Sequence, residues 1–446
     1  MSIARKSLVD YFAQNAGLVI SFVAGILISV VFGREGRGEY ALVLTANLIL
    51  INMTNMGIEV SARVFAGKDP EDVARIHTAG VVLVLGVSLI VGVGLLFSGH
   101  WLHGLFFQEV PQNLLNLAAL LLPFSLYQLV WQGVMVGLGE IGWHARMFMW
   151  NRIIQSGAVI LLLSLTSSPS VGWLLYLWVI IQMATVIVSI VVMARKYRLF
   201  APVNLPLLGQ MLRFSWLVYF GNFASSLMQK YDMMMISHFT GNAGVGLYNQ
   251  ASTFSEKVML ISGSLERATY APATSAGPDY APVLIQKVFR YNLYVNIAGA
   301  AAMYVFGSLV ICNLLPEEFL GSLFPLKFLL LSVVFMSCSR ILAIYFTAHL
   351  KKPQIPGVIN WFLLPIGLAL IYFLSKNFGV RGASVGVALV YLIHSASFML
   401  LFVLRNRRLP FGEYFIPTAD DARYFKAKIL SRLRRPRGAG KKDSAS

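Results

Sequence analysis

Charged residues inside long apolar stretches are the most informative feature of this sequence. On insertion scales an ionisable side chain at the centre of a bilayer costs about 2.5–3.5 kcal/mol, so such residues face a helix-bundle interior or a watery cavity. Five cations lie within or beside apolar stretches: Arg152, Lys230, Lys257, Arg267 and Arg340. A cavity with net positive charge binds anions, and a diphosphate presented at a membrane is the ligand that this chemistry predicts.

Acidic residues occupy similar positions, so local charge pairing is an alternative interpretation. These acids are Glu59, Asp232, Glu256 and Glu266. Adjacent helical residues such as Glu256 and Lys257 point about 100° apart and cannot face one partner. For three residues, Glu256, Glu266 and Arg267, local pairing and a functional role have equal weight. We favour the functional role for the four deeper residues: Arg152, Lys230, Asp232 and Arg340.

Two apolar stretches carry a polar face. Thr45, Asn52 and Glu59 recur every seven residues, with Asn55 beside them, which places them on one side of a helix. A later stretch repeats the pattern with Asn222, Ser225, Gln229 and Asp232. We therefore expect these two helices to form the wall of a central cavity.

The composition identifies the elements that position these residues. Of the 446 residues, 57% are hydrophobic and 12% are charged, against about 25% charged in a typical soluble domain. A bilayer crossing needs about 20 apolar residues, and twelve such stretches can be recognised. They span residues 11–32, 39–61, 76–98, 113–136, 146–165, 173–193, 214–238, 246–270, 291–315, 324–346, 355–374 and 383–404. The predicted fold is an all-α polytopic membrane protein.

Sequence signatures of catalysis are missing. No loop between the predicted spans exceeds about twenty residues, which leaves no room for a soluble catalytic domain. The chain has no Walker A glycine loop and no HExxH spacing, and its two cysteines, Cys312 and Cys338, form neither a disulfide framework nor a CxxC site. We therefore expect no enzyme activity, no cofactor and no metal.

The distribution of positive charge predicts the topology. Of the net charge of +17, residues 405–446 supply +8, and most other cations lie in loops, so membrane topology explains the charge better than nucleic-acid binding does. With the first span starting inside, 26 cations are cytoplasmic and five are outside. The outside five are Arg34, Arg37, Lys327, Lys376 and Arg381. The positive-inside rule places both termini in the cytoplasm, and the tail at 422–435 is predicted to be an amphipathic surface helix or a solvated basic segment.

An internal repeat divides the chain. A shift of 208 residues aligns Gly33, Gly36, Gly38 and Tyr40 with four identical residues: Gly241, Gly244, Gly246 and Tyr248. The pattern predicts tight outer turns at which glycine takes positive φ and the tyrosine anchors at the interface; the alternative is chance similarity of two turns. We predict two six-helix lobes, 1–205 and 206–404, around a central cavity, and a basic tail, 405–446. A separate pair, Gly133 and Gly137, predicts a close helix contact.

Four segments carry a resemblance to a known family. The runs FGREGRGEY (32–40), with Asn55-Met56-Gly57 further on, and KYDMMMISHFTGNAGVGLYNQA (230–251), with APATS (271–275), resemble two helical hairpins of the polysaccharide, or Wzx-type O-antigen, flippases. The segments VGLGE (136–140) and AHLKKP (348–353) resemble the inside turns of that family. It belongs to the multidrug/oligosaccharidyl-lipid/polysaccharide (MOP) exporter superfamily.

The resemblance implies a two-lobed flippase of the bacterial inner membrane. Its cargo would be an undecaprenyl-diphosphate-linked oligosaccharide, with the diphosphate and anionic sugars received by a cationic cavity. H⁺ or Na⁺ coupling is implied, with Asp232 as first candidate and Glu59 and Glu256 behind it. Membrane lipids and a glycan polymerase or transferase are the expected partners.

Two relatives within the superfamily differ from this chain. Lipid II flippases usually have two extra helices and an Asp-Ala pair where this chain has Tyr40-Ala41, and drug exporters usually carry an acid within the first helix. Both differences favour the polysaccharide branch. The alternative is a cation-coupled multidrug exporter, which would require an anionic or apolar cavity. A membrane scaffold without transport activity is disfavoured, because it would gain nothing from buried charges.

Overall fold

The protein is built from helices joined by short turns. The computed structural model describes residues 3–68, 72–228 and 230–416, and these contain no strand. The helices are α1 (Ile3–Thr54), α2 (Ile58–Lys68), α3 (Val73–Phe106), α4 (Gln112–Gly137), α5 (Ile141–Leu165), α6 (Val171–Ala194), α7 (Leu205–Leu227), α8 (Tyr231–Ser275), α9 (Tyr280–Asn313), α10 (Leu323–Ile344) and α11 (Gln354–Arg405). Short helical turns cover Glu317–Ser322, Tyr345–His349 and Phe411–Tyr414. The tail helix predicted at 422–435 lies outside the described residues.

Eight helices of the described segments are long and apolar enough to cross a membrane. Helices α1 and α11 each have 52 residues, about 78 Å at 1.5 Å per residue, which is more than twice the ~30 Å hydrocarbon core. Each is divided by a turn, at Gly33 and Gly379, and α8 is divided at Gly241. Ten of the twelve predicted spans lie on these eight helices. The other two, 214–238 and 246–270, lie on α7 and α8, which are not among the eight. The chain is an all-α multi-pass membrane protein.

The three dividing glycines make helical hairpins. Gly33 and Gly241 share φ 64°, with ψ −171° and −167°, and Gly379 has φ 55°, which is the left-handed region that glycine tolerates best. The positive φ predicted for the repeated turns is confirmed. The third hairpin, at Gly379, was not predicted. The predicted interfacial role of Tyr248 is wrong, because this side chain is 1% exposed and its hydroxyl donates to Asp232.

Two predicted spans are interrupted. The span at 39–61 breaks between Thr54 and Ile58, and that at 214–238 breaks between Leu227 and Tyr231. At the first break Met56 and Gly57 have φ 44° and 72°. A Cβ on Gly57 would lie 2.6 Å from the carbonyl oxygen of Ser215 on α7, so the break allows close approach of two backbones.

The predicted glycine contact on α4 is confirmed. A Cβ on Gly133 would lie 2.3 Å from the Glu59 carbonyl oxygen, and one on Gly137 would lie 2.4 Å from that of Arg63. Helix α2 therefore packs directly on the backbone of α4, where a larger side chain would separate the helices.

Three main hydrophobic clusters organise the packing. One lies within residues 58–211, a second lies within residues 273–414, and a third joins both halves through residues of α1, α8, α10 and α11. Large apolar side chains such as Leu89, Ile180 and Phe362 are exposed, as expected for surfaces in contact with lipid. The first cluster also includes Met211 of α7, and the main contact between the halves is that of α1 with α8.

Candidate functional site

A cavity of about 670 Å³ lies among α1, α4, α5 and α6, with Thr253 of α8 at its border. The wall is largely apolar, including Leu44, Ile51 and Val159, and is interrupted by polar side chains. Those polar groups include Ser21, Asn47, Gln128, Asn151, Gln155 and Gln182. A concave, mostly apolar chamber with a few convergent polar groups is the usual form of a ligand site.

Arg37 is the most deeply placed cation of the cavity wall. It is 5% exposed. Its Nη1 donates to the carbonyl of Gly25 at 3.2 Å, and its Nη2 donates to Thr253 Oγ1 at 3.1 Å. Its Nε is buried without a hydrogen-bond partner, and a buried polar group without a partner is energetically costly. The guanidinium is therefore fixed by backbone and hydroxyl, with donor capacity left for an anion.

Arg152 supplies the second cation of the wall. It is half-buried on α5, with Cζ 5.9 Å from the ring centroid of Phe148, and it packs near Gly17. Lys257 of α8 lies within electrostatic range of both Arg37 and Arg152. No aspartate or glutamate occurs among the described residues that line the cavity. Glu256 lies within electrostatic range of Arg37 and Lys257 and offsets one of these three cations, so the local charge is positive.

Amides and hydroxyls form a network across the wall. Gln128 Nε2 donates to Gln182 Oε1 at 2.8 Å, and Asn151 Nδ2 donates to Thr185 Oγ1 at 2.9 Å. The hydroxyls of Ser21 and Ser156 lie 2.8 Å apart. Trp131, Trp178 and His144 add aromatic faces. Such groups bind hydroxyl-rich ligands by hydrogen bonding and by stacking.

The predicted cations do not converge on one place. Arg152 lines the main cavity. Lys230, 21% exposed, pairs with Glu256 at 3.2 Å, and Arg340 pairs with Glu266 at 3.7 Å beside a separate cavity of about 140 Å³. Arg267 is exposed. The local pairing considered for Glu256 and Glu266 thus occurs, although with partners on other helical segments.

None of the predicted coupling acids is among the described residues that line the main cavity, and Glu256 lies within electrostatic range of Arg37 on its wall. Asp232 accepts hydrogen bonds from the hydroxyl of Tyr248 and, at 2.8 Å, from the backbone N–H of Met233. Glu59 pairs with Arg63 one turn along α2. Glu256, 52% exposed, accepts from Lys230. Of these acids, Asp232 is the one held by a tyrosine.

The polar stripe predicted on the second span faces neighbouring helices instead of the cavity. Thr45 Oγ1 donates to Met233 Sδ on α8 at 3.1 Å. Asn52 borders a void of about 10 Å³ beside Phe223, and Asn55 lies at the break after α1. The cavity-facing residues of that span are Tyr40, Leu44, Asn47, Leu48 and Ile51, and Arg37 faces the cavity just before it. The side chain of Asn222 and the whole of Gln229 lie outside the described residues.

Arg37 was missed because the sequence places it in an outside loop. The turn at Gly33 is so tight that the helix has resumed by Arg37, whose side chain reaches back to Gly25. The sequence signal is Gly33, whose positive φ reverses the chain four residues before Arg37.

Comparison with known proteins gives one family match and several structural matches. The family model described as "Polysaccharide biosynthesis protein" matches residues 3–271. No curated protein sequence matches this chain.

Three solved structures illustrate the shared fold. The lipid II flippase MurJ in an inward closed conformation is 14% identical, with TM-score 0.70 over 98% of this chain and 94% of that chain. An inward-facing multidrug resistance MATE family transporter of the MOP superfamily is 15% identical, with TM-score 0.64 over 87% and 94%. A MOP superfamily transporter from Pyrococcus furiosus, described as having a binding pocket of reversed polarity, is 15% identical, with TM-score 0.61 over 89% and 94%.

Proposed function

Because this chain belongs to the polysaccharide biosynthesis protein family and has the fold of MOP superfamily transporters, we propose that it is a lipid-linked oligosaccharide flippase. Its cargo is an undecaprenyl-diphosphate-linked O-antigen or exopolysaccharide repeat unit. It moves this cargo from the cytoplasmic to the outer leaflet of the bacterial inner membrane by alternating access, with both termini cytoplasmic and the lobes 1–205 and 206–404 rocking against each other.

The observation that carries the proposal is the charge of the cavity. Arg37 and Arg152 line it, and the described lining residues include no acid. Arginine presents several N–H donors in a planar fork that matches phosphate oxygens. In a low-dielectric surrounding two such cations attract a diphosphate much more strongly than they would in water. Lys257, within electrostatic range of both arginines and of Glu256, adds to this attraction.

The rest of the wall suits the sugar that follows the diphosphate. Gln128, Gln182 and Asn151 carry the amide groups of the network, and Trp131 and Trp178 offer flat apolar faces. Amides bind sugar hydroxyls, while aromatic faces contact the less polar side of a pyranose ring. Headgroup and first sugar would therefore lie side by side in one chamber.

The remaining candidate residues keep more peripheral roles. Lys230, Lys257 and Arg340 are proposed to guide an anion toward the chamber, with Arg267 contributing at an exposed position. Asp232 is the proposed site of H⁺ or Na⁺ coupling, supported by its hydrogen bond from the hydroxyl of the buried Tyr248. Glu59 and Glu256 are secondary candidates, because each is paired with a nearby cation.

Loss of the gene product in its native host tests the proposal. A flippase predicts loss of surface glycan together with accumulation of the complete lipid-linked unit in the cytoplasmic leaflet, measured by glycan analysis of right-side-out and inside-out vesicles. Loss of a partner polymerase or transferase would instead leave an intermediate other than the complete lipid-linked unit in the cytoplasmic leaflet. Normal surface glycan with no lipid-linked intermediate would overturn the proposal.

A cation-coupled multidrug exporter is the second candidate, and the size of the cavity favours it. About 670 Å³ lies within the 300–1,000 Å³ range of sites for drug-sized ligands. The positive charge disfavours cationic drugs. Raised sensitivity of the deletion strain to cationic drugs, with normal glycan, would establish this alternative.

A further inference from the structure

The hairpins of α1 and α8 touch each other reciprocally. A Cβ on Gly38 would lie 1.8 Å from the carbonyl oxygen of Asn242, and a Cβ on Gly246 would lie 1.9 Å from that of Arg34. Gly38, the third glycine of the first turn, thus packs on Asn242, and Gly246, the third glycine of the second turn, packs on Arg34. We call the region around Gly33 and Gly241 the hairpin end of the molecule.

Two carboxylates bind these hairpins. Glu318, in the turn after α9, accepts a hydrogen bond at Oε1 from the backbone N–H of Arg34 at 2.9 Å. Glu109, between α3 and α4, accepts one at Oε2 from the backbone N–H of Asn242, and its own carbonyl accepts from Asn242 Nδ2 at 3.1 Å. Arg34 and Asn242 begin the helical run after each kink, where N–H groups lack intrahelical acceptors and favour an anion.

Each carboxylate belongs to the opposite half from the hairpin that it binds. Glu318 of the second half binds the first hairpin, and Glu109 of the first half binds the second. The dividing glycines make room for them, because a Cβ on Gly33 would lie 2.5 Å from Glu318 Oε1 and one on Gly241 would lie 2.3 Å from Glu109 Oε1. The repeat therefore extends beyond the glycines to a crossed pair of hydrogen bonds.

The contact between α1 and α8 continues inward from the hairpin end. Ser29 Oγ donates to Gln250 Oε1 at 2.9 Å, and Arg37 donates to Thr253 at 3.1 Å at the border of the cavity. The crossed carboxylates lie at the outermost part of a continuous seam between the two halves. Separating the halves at this end requires both carboxylates to leave their N–H groups.

We propose that Glu109 and Glu318 are paired latches that hold the cavity closed at the hairpin end, and that both release when the cavity opens there. The inference rests on alternating access in the proposed function, but it does not depend on the identity of the cargo. A charge-assisted hydrogen bond holds firmly yet reforms readily. Two symmetric latches make closure strong, since either one alone still joins the halves.

Cysteine accessibility tests the latches in membranes. The two native cysteines are first removed by Cys312→Ser and Cys338→Ala. Ser21→Cys then places a single reporter on the cavity wall, and a separate variant, Glu35→Cys, shows which membrane face the hairpin end occupies. A membrane-impermeant maleimide is applied to that face. The double variant E109Q/E318Q is expected to raise the labelling rate of the Ser21 reporter about tenfold or more, and each single variant is expected to raise it less. Glu317→Gln, the exposed neighbour, is the matched control and leaves the rate unchanged.

If a cysteine variant does not fold well enough to be labelled, the distance between the two hairpins is measured on purified protein instead. Spin labels at Glu35 and Ala243 report the separation of the two hairpins by pulsed electron paramagnetic resonance. The double variant is expected to populate longer distances than the control. Unchanged labelling and unchanged distances would overturn the latch. Failure of the proposed flippase function would be seen in a different experiment, as normal glycan export in the deletion strain.

Discussion

Arg37 Nη2 donates to Thr253 Oγ1 at 3.1 Å, so the buried cation of the cavity is bonded to the other half of the chain. Its Nη1 is held by Gly25 of its own half. An anion bound, as proposed, at the unpartnered Nε of this guanidinium would contact the same side chain that joins the halves. Arg37 would then link cargo binding to the contact between the halves.

Substitution of this cation gives the first prediction. Arg37→Gln is expected to reduce glycan export about tenfold or more, because a hydrogen bond to a charged group contributes about 1.5–3 kcal/mol. Arg37→Lys keeps the charge without the planar fork, so its export should be intermediate. Surface glycan is quantified at matched protein levels.

Arg146→Gln is the control for this series, since Arg146 is an exposed residue of α5 and its substitution removes the same charge. Arg152→Gln should behave like Arg37→Gln. Equal export by the Arg152 and Arg146 variants would refute the cavity assignment.

The paired cation Lys230 gives a second prediction. Lys230→Gln is expected to impair export less than Arg152→Gln, because Lys230 is engaged by Glu256 at 3.2 Å. A partly exposed pair contributes about 0–1 kcal/mol, so the protein should stay folded. A double-mutant cycle with Glu256→Gln, read by export, measures the coupling. A loss of export as deep as that of Arg152→Gln would place Lys230 in direct contact with cargo.

Glycine substitutions test the contact between the hairpins. Gly38→Ala is expected to reduce both thermal stability and export, since its Cβ would lie 1.8 Å from the backbone oxygen of Asn242. Gly157→Ala, in open space on α5, should be neutral or stabilising by about 0.5–1 kcal/mol. Thermal unfolding in detergent compares the two. Equal melting temperatures would show that the hairpins do not need to approach so closely.

The buried Tyr414 predicts opposite results for two substitutions. Its ring is 0% exposed and lies edge-on to Phe289 and Phe402, while its hydroxyl has no hydrogen-bond partner. Burial raises the pKa of Tyr414 to about 12, so the hydroxyl stays neutral in the physiological range. Tyr414→Ala should destabilise the protein by about 3–5 kcal/mol. Tyr414→Phe should be neutral or stabilising, since it removes an unpaired polar group, and a large loss of stability in that variant would reveal a partner for the hydroxyl.

Much of the fold can be predicted from the apolar length and glycine spacing of the sequence. Apolar length marks ten of the twelve predicted spans as candidate crossings, and the spacing shared by Gly33 and Gly241 marks two turns with identical φ. The turn at Gly379 was not recognised because it keeps Gly379 and Gly382 but has Ser384 and Gly386 where the motif has its third glycine and its tyrosine. The interruption at Met56 depends on the approach of α7, which is a contact distant in sequence.

The site was less accessible to sequence reasoning. Periodicity places Thr45 and Asn52 on one helical face, but it does not say which neighbour that face meets, and Thr45 meets Met233. Arg152 was identified from its charge in an apolar stretch. Arg37 required knowledge of how sharply the chain reverses at Gly33, because that reversal determines whether Arg37 points to solvent or back along α1.

The volume of the chamber limits what can be enclosed at one time. Its volume of about 670 Å³ lies within the range of sites for single ligands of drug size. A diphosphate with one or two sugar rings fills such a space, and a longer glycan must trail from whichever end is open. The proposed carrier would then choose its cargo by the first sugars next to the phosphate, and repeat units of different length with the same reducing end would compete equally for it.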